Sequence, residues 1–358
     1  MPFEQEMPRL RLRRPTGLDL EAYTALHTDP RTYAHAPASM PDAEGCRDRL
    51  DADLAHWAAY GFGYLAVEDR ASGLLVGWGG VCEAAAAPRG PLNLYYRLAY
   101  DALGQGLGRD LVCAVVAAAV EEQPARRVRA RIGSHHAASL ATARAAGLVE
   151  VDVPADQPDD QPDDQPDSAS VVLEAPHLTS LASVDESVLA EVLDLWVRVN
   201  EAGGAVGFSA GAPRAAVADR LAGHAALLAE GRAVLGLLRA PDDRLLGSAF
   251  WQRGAWSGFA HRLELWRVMV EPAEQGRGMG GLLLSGMHGL ARRWSPQTQL
   301  WCADYRSGRG LGRFYARWGW NEVGRLPYGI ELPGGERGDE VHLARRPQGG
   351  LPVADGRP

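Results

Sequence analysis

The feature that most limits what this chain can fold into is a pattern written twice. LGQGLGRD (Leu103–Asp110) and QGRGMG (Gln275–Gly280) are glycine-rich stretches of the same kind. Gly106 stands 41 residues before Gly147, and Gly278 stands 41 residues before Gly319. The segments that begin at those second glycines also correspond: GLVEV at Gly147–Val151 and GWNEV at Gly319–Val323. Upstream of each loop lie two apolar runs around a polar turn, YLAVEDRASGLLVGWGGV (Tyr64–Val81) and AVLGLLRAPDDRLLGSAFW (Ala233–Trp251), which read as hairpins. Matching features in one order imply an internal duplication. Each copy runs helices, hairpin, strand, glycine loop, helix, strand, helix, strand. The fold class expected is α/β (α+β), with a mixed, mostly antiparallel sheet flanked by helices in each half.

The second loop indicates what the pattern is for. The strand LELWRVMV (Leu263–Val270) precedes it, and the apolar helical stretch GGLLLSGMHGLARRW (Gly280–Trp294) comes after it. Glycine has no Cβ, so its backbone can approach an anion closely. A helix start adds free N–H groups and the positive end of the dipole. A phosphate-bearing ligand is expected.

At 358 residues, two domains are expected from a prior of about 150 residues each. Their boundaries read as 1–177 and 178–347, with a disordered tail at 348–358. DQPDDQPDDQPD (Asp156–Asp167) is acidic, repeated and proline-rich, so residues 154–168 read as a disordered loop. SASVVLEAP (Ser168–Pro176) then reads as a strand, which makes the repeat an expanded hairpin loop inside the first domain. SVDE (Ser183–Glu186) reads as a capping box before VLAEVLDLWVRV (Val188–Val199). The net charge of −8 gives no general attraction to nucleic acid or anionic membrane. Cys46, Cys82, Cys113 and Cys302 are widely spaced, so neither a disulfide framework nor a metal site is expected. His135 and His136 have no carboxylate or thiol at ligand spacing. The first residues lack an apolar signal core, and the longest apolar run, Leu111–Val120, is too short to span a bilayer. A cytoplasmic protein is the expectation.

Gln275-Gly-Arg-Gly278-Met-Gly280 resembles the Q/R-x-x-G-x-G/A signature of the GCN5-related N-acetyltransferases, the GNAT superfamily, and FYARWGW (Phe314–Trp320) is similar to its partner motif. The resemblance implies acetyl-CoA as co-substrate and no metal. It implies that Gln275, Gly276, Arg277, Gly278, Met279, Gly280 and Gly281 hold the pyrophosphate, and that pantetheine lies along Val268, Met269 and Val270. Gly106 and Gly108 are the corresponding positions of the first half. A dinucleotide site is the rival: Gly276, Gly278 and Gly281 satisfy G-x-G-x-x-G, with Asp304 as the ribose acid. Against it, the strand stops at Val270 instead of running into the loop, and the loop comes after a hairpin. The second half further resembles the tabtoxin-resistance type of acetyltransferase, through GGAVGF (Gly203–Phe208), RLELWRVMVEP (Arg262–Pro272), ADYRSG (Ala303–Gly308) and EVGRLPY (Glu322–Tyr328). That kinship implies a small-molecule amine as acceptor, such as a toxin or antibiotic. The first half resembles the N-terminal acetyltransferases of ribosomal proteins, through Leu10–Leu20, Asn93–Gly108 and His136–Leu148.

Acetyl transfer to an amine needs a proton acceptor, a donor to the thioester oxygen and stabilisation of the departing thiolate. Glu264 is a carboxylate inside an otherwise apolar strand, a setting that suits a general base. The resemblance places it at a catalytic position; the alternative is an ion pair with Arg262 or Arg267. The resemblance makes Tyr315 the acid for the thiolate, against a plain core tyrosine. Asp304 orients the amine or caps a turn. A backbone N–H near Val268–Val270 would serve the oxyanion. The first half has Leu103 where Gln or Arg belongs, Asn93 at the strand acid position and Ala143 in place of Tyr315, with Ser139 left to assist a thiolate. It is therefore expected to be degenerate, a weak CoA binder and chiefly a structural partner. Gly203–Phe208 closes over an acceptor or simply ends a helix. Trp251, Trp256 and Trp266 line a pocket or fill core. The function expected is N-acetylation of a small amine by the second half. The alternatives are a mycothiol-synthase-like enzyme and a non-catalytic acyl-CoA sensor or scaffold. The expected assembly is a monomer with pseudo-dimeric halves or a homodimer, with no nucleic-acid or membrane partner.

Overall fold

The computed structural model describes residues 3–83, 90–152, 170–204, 206–208, 210–331, 335 and 337–347. The acidic repeat and the C-terminal tail lie outside the described residues. The chain divides into two compact units, Met1–His177 and Leu178–Pro358.

The first unit comprises β1 (Gln5–Glu6), β2 (Leu10–Arg13), α1 (Leu20–His27), α2 (Ala43–Tyr60), β3 (Tyr64–Asp69), β4 (Leu75–Glu83), β5 (Leu92–Leu98), α3 (Leu107–Glu122), β6 (Val128–Gly133), α4 (Ala137–Ala145), β7 (Val149–Glu150) and β8 (Ser170–Glu174). Its strands form one sheet in the order β1-β2-β3-β4-β5-β6-β8-β7. The strands flanking the acidic repeat, β7 and β8, pair antiparallel, Val149 opposite Glu174. Tyr23, Leu26, Cys46, Leu50, Ala66 and Trp78 form a core where α1 and α2 meet the sheet.

The second sheet opens with β9 (His177–Leu181). The rest of the second unit is α5 (Glu186–Glu201), α6 (Arg214–Ala229), β10 (Ala233–Arg239), β11 (Leu245–Arg253), β12 (Arg262–Val270), α7 (Met279–Trp294), β13 (Leu300–Arg306), α8 (Leu311–Arg317), β14 (Asn321–Glu331) and β15 (Arg337–Arg345). Strand order is β14-β15-β13-β12-β11-β10-β9. The start of α5 differs from the capping box expected at Ser183. Asp185 is the residue left extended before the helix, and its carboxylate accepts from the Val188 N–H at 2.9 Å. An aspartate immediately before the first turn reaches the free amides that Ser183 stands too far back to cap. Apolar positions of α5 and α6, among them Val192, Trp196, Val217 and Leu221, pack with Leu235, Phe250 and Met269. The other face of the sheet is covered by α7, buried almost continuously from Gly281 to Ala291.

One detail of register recurs in both sheets and positions the site. β5 and β6 run parallel but pair only at Leu92–Val128 and Asn93–Arg129. β12 and β13 run parallel and pair only from Arg262–Leu300 to Leu265–Ala303. Past those pairs the two strands no longer share a ladder, so a wedge opens at their C-terminal ends. The strand before the wedge leads to the glycine loop in each unit. Among the described residues no helix is long and apolar enough to cross a membrane.

Candidate functional site

In the second unit the glycine loop stands at the mouth of the wedge. Gly276 and Gly278 have φ of +78° and +89°, and Gly278 caps α7. A Cβ at either would meet nothing within 4 Å, so it is backbone conformation, not space, that demands glycine. The Met279 and Gly280 amides open α7 with no carbonyl one turn back and stay available to an anion, whereas the Gly281 N–H donates to the Gly278 carbonyl at 2.9 Å. Gln275 ties the loop to its strand by donating to the Val270 carbonyl at 3.1 Å. Gly281 has a different reason: a Cβ there would lie 2.6 Å from the Trp318 ring, so it lets α7 pack on the segment after α8. The sheet is mixed, with β11–β12 and β13–β15 antiparallel, which is not the doubly wound parallel order of a dinucleotide site.

β12 carries a bulge at the wedge. Ser248 pairs with Met269 and Phe250 with Trp266, so Arg267 and Val268 together oppose Ala249. Arg267 adopts φ +56°, rare for a side-chain-bearing residue. A bulge leaves backbone groups out of the ladder, beside the Val268–Val270 amides expected to face an oxyanion.

Alternation along paired strands places Glu264, Trp266, Cys302, Asp304 and His342 on one sheet face. Glu264 accepts from Arg262 at 2.9 Å and from the Trp266 indole at 3.3 Å. The ion pair is therefore with Arg262, not Arg267. Asp304, on the more exposed end of β13, accepts from or pairs with His342 Nδ1 at 2.6 Å across the β13–β15 ladder. His342 was not legible from the sequence, since only the β13–β15 register brings it to Asp304. Asp304, Glu340 and His342 each offer a ligand atom within 4.8 Å of the others.

Tyr315 lies on the opposite face, where Tyr305 stacks on it at 5.8 Å. It is 6% exposed, and burial pushes its hydroxyl well above the usual phenol range. Its role in packing is thus real, and the hydroxyl is protonated at neutral pH. The three tryptophans do not share one pocket. Trp251 is core and donates to the Met287 carbonyl, Trp256 is exposed, and Trp266 packs near His224.

The first unit has the same device with different side chains. Gly104 and Gly106 have φ of +74° and +77°, and Gly106 caps α3. A cavity of about 690 Å³ is lined by this loop with Gly108, by the free end of β5 and by Ser139 and Thr142 of α4. Ser139 and Tyr96 share a hydrogen bond of 2.8 Å between their hydroxyls. Asn93 donates to the Tyr64 hydroxyl at 3.0 Å, and Ala143 is fully buried. His135 reaches the His35 carbonyl at 3.1 Å and His136 stacks on His35. A residue the sequence did not flag is Asp53 of α2, which accepts from the Trp78 indole at 2.9 Å. Burial pushes its carboxyl up to about 7, although Trp78 and Arg49 pull the other way.

Residues 9–149 match the family model of the acetyltransferase (GNAT) domain. No curated protein matches the sequence. Solved structures similar to this chain include yncA from Salmonella typhimurium with its cofactor acetyl-CoA, at 20% identity and TM-score 0.40, covering 50% of this chain and 99% of that one. Another is ribosomal-protein-alanine N-acetyltransferase from Brucella melitensis, at 18% identity and TM-score 0.40, covering 47% and 98%. A third is an N-acetyltransferase from Staphylococcus aureus Mu50, at 11% identity and TM-score 0.40, covering 48% and 99%.

Proposed function

We infer, from the premise that this chain carries a GNAT acetyltransferase domain at residues 9–149, that both units bind acetyl-CoA and that the second transfers the acetyl group to a small-molecule amine. The observation that carries this reading is the repeated device of a splayed parallel strand pair leading to a left-handed glycine at a helix start. In the second unit the pyrophosphate would rest on the amides of Gln275–Gly281, and pantetheine would lie along Val268–Val270. The acceptor's ammonium loses a proton to Glu264, directly or through water. Its nitrogen then attacks the thioester carbon, and a backbone N–H at the β12 bulge donates to the oxygen. As the C–S bond breaks, Tyr315 donates a hydrogen bond to the sulfur. A thiol ionises near 8.5 and a phenol near 10, and burial raises Tyr315 further. Full proton transfer from Tyr315 to the thiolate is therefore uphill, so its part is stabilisation, with the thiolate's proton coming from the acceptor side. Asp304 holds His342, which offers a second proton acceptor on the Glu264 face.

The assay is release of free CoA thiol over an amine panel. Glu264→Gln should lower kcat about 10²–10⁴-fold, the usual range for loss of a general base, while acetyl-CoA affinity stays within about twofold. Loss of affinity with kcat intact would remove Glu264 from the role of base. A second reading, favoured by the family match and the formed cavity, places the transfer in the first unit, with Asp53 as the titrating group behind Tyr95 of the cavity wall.

A further inference from the structure

Arg267 stands at the bulge of β12, a few residues from Glu264, in a setting that is costly for a cation. Its guanidinium lies 5.2 Å from the Trp196 ring and 5.1 Å from the Trp266 ring. Its Nε donates to His224 at 3.4 Å. Among the described residues no carboxylate pairs with it. Burial, then the positive charge of Arg220, pull its pKa down to about 10, so it stays charged at neutral pH. His224 is held neutral, pushed to about 4 by burial and by Arg267 and Arg220.

Two further arginines border Gly203, four residues before the glycine that faces Arg267. Arg306 donates to the Gly203 carbonyl at 3.3 Å, and a Cβ at Gly203 would lie 2.7 Å from Arg309 Nη2. A Cβ at Gly207 would lie 2.4 Å from Arg267 Nη1. Gly203 and Gly207 therefore lie against guanidinium groups, and the missing side chains make the room. Among the described residues none of Arg220, Arg267, Arg306 and Arg309 meets a carboxylate.

Cation–π attraction to two indoles offsets only part of the cost of taking a guanidinium out of water, and a neighbouring like charge adds to that cost. A guanidinium with free donors in such a place suits a planar, two-oxygen anion, which it can bind through a pair of hydrogen bonds. One indole links the two ends of the site: the Trp266 N–H reaches Glu264 and its ring faces Arg267.

We propose that the acceptor of the second unit is an amino acid or close analogue, its carboxylate bound by Arg267 and its amine directed to Glu264. This rests on the reading that the second unit acetylates a small amine. Glu264 supplies the negative end, Arg267 supplies the positive end, and the indole of Trp266 touches both.

The test is calorimetric titration of the twenty L-amino acids and their carboxamides into the full chain saturated with CoA. At least one amino acid should bind roughly 10- to 100-fold more tightly than its carboxamide, the worth of a charge-assisted pair. Arg267→Gln should abolish that preference, with Arg267→Lys retaining part of it, and both should leave acetyl-CoA affinity unchanged. The proposal is overturned if no amino acid outbinds its carboxamide, or if the preference survives Arg267→Gln. Failure of the second unit to bind acetyl-CoA would instead remove the acetyl-transfer reading, and the acid-versus-amide comparison would still decide this one.

Discussion

Asp53 gives a prediction whose size comes from the structure. It is a half-buried carboxyl on α2, receiving one hydrogen bond from Trp78 and lying among Tyr23, Tyr64 and Tyr95. Its carboxyl ionises near 3.8 when unfolded and at about 7 when folded. The folded state therefore binds the proton more tightly, and the stability this contributes is present below pH 4 and lost as pH rises from about 4 to 7. A shift of roughly three units corresponds to at most about 4 kcal/mol, at 1.36 kcal/mol per unit. Asp53→Asn keeps an oxygen for Trp78 but cannot ionise. It adds two N–H donors, and leaving these unsatisfied would cost about 1–3 kcal/mol at every pH. The difference between variant and wild type should thus swing in favour of the variant by up to about 4 kcal/mol between pH 4 and pH 8. His27, pushed down to about 3 by burial, has the opposite slope. It is present in both proteins and cancels in the difference. Urea unfolding followed by tryptophan fluorescence at pH 4, 6 and 8 measures this directly. Parallel stability curves across that range would refute the assignment of a raised Asp53.

The other predictions concern the second unit. Gly281→Ala places a methyl 2.6 Å from Trp318 and should cost about 1–3 kcal/mol of stability by urea unfolding; an unchanged midpoint would mean that α7 has room to shift. Tyr315→Phe keeps the ring stacked on Tyr305 and removes a hydroxyl that no described residue binds, so stability should hold within about 1 kcal/mol while kcat falls. An unchanged kcat would leave Tyr315 a packing residue. At Glu264 the corresponding prediction is a loss of kcat in the Gln variant without loss of acetyl-CoA affinity.

The elements of both units were largely legible because their hydrophobic patterns are strong and local. The hairpin read at Ala233–Trp251 folds as β10 and β11, and the strand read at Leu263–Val270 is β12 with one more residue. The cap of α5 falls two residues beyond Ser183, since Ser183 and Asp185 both have capping chemistry and only the path of the backbone decides between them. Long-range register was less accessible. The Asp304–His342 pair depends on β13 and β15 lying side by side, although 38 residues separate them. The bulge at Arg267 leaves no local mark, because its cause is the pairing of β11 with β12. Asp53 looked like one more polar residue on an amphipathic helix, and its enclosure results from where Trp78 and three tyrosines converge. Gly281 reads as part of a phosphate motif, and its closeness to Trp318 is a further reason for glycine there that only the fold supplies.

We infer that the two units are one acyl-CoA-binding device used twice, with transfer in the second. Native mass spectrometry of the chain with acetyl-CoA, on wild type, Gly106→Val and Gly278→Val, tests it most directly, with CoA release measured on the same samples. Two acetyl-CoA per wild-type chain and one for each variant are expected, with activity lost only in Gly278→Val. Activity lost in Gly106→Val and retained in Gly278→Val would contradict it and place the chemistry in the first unit.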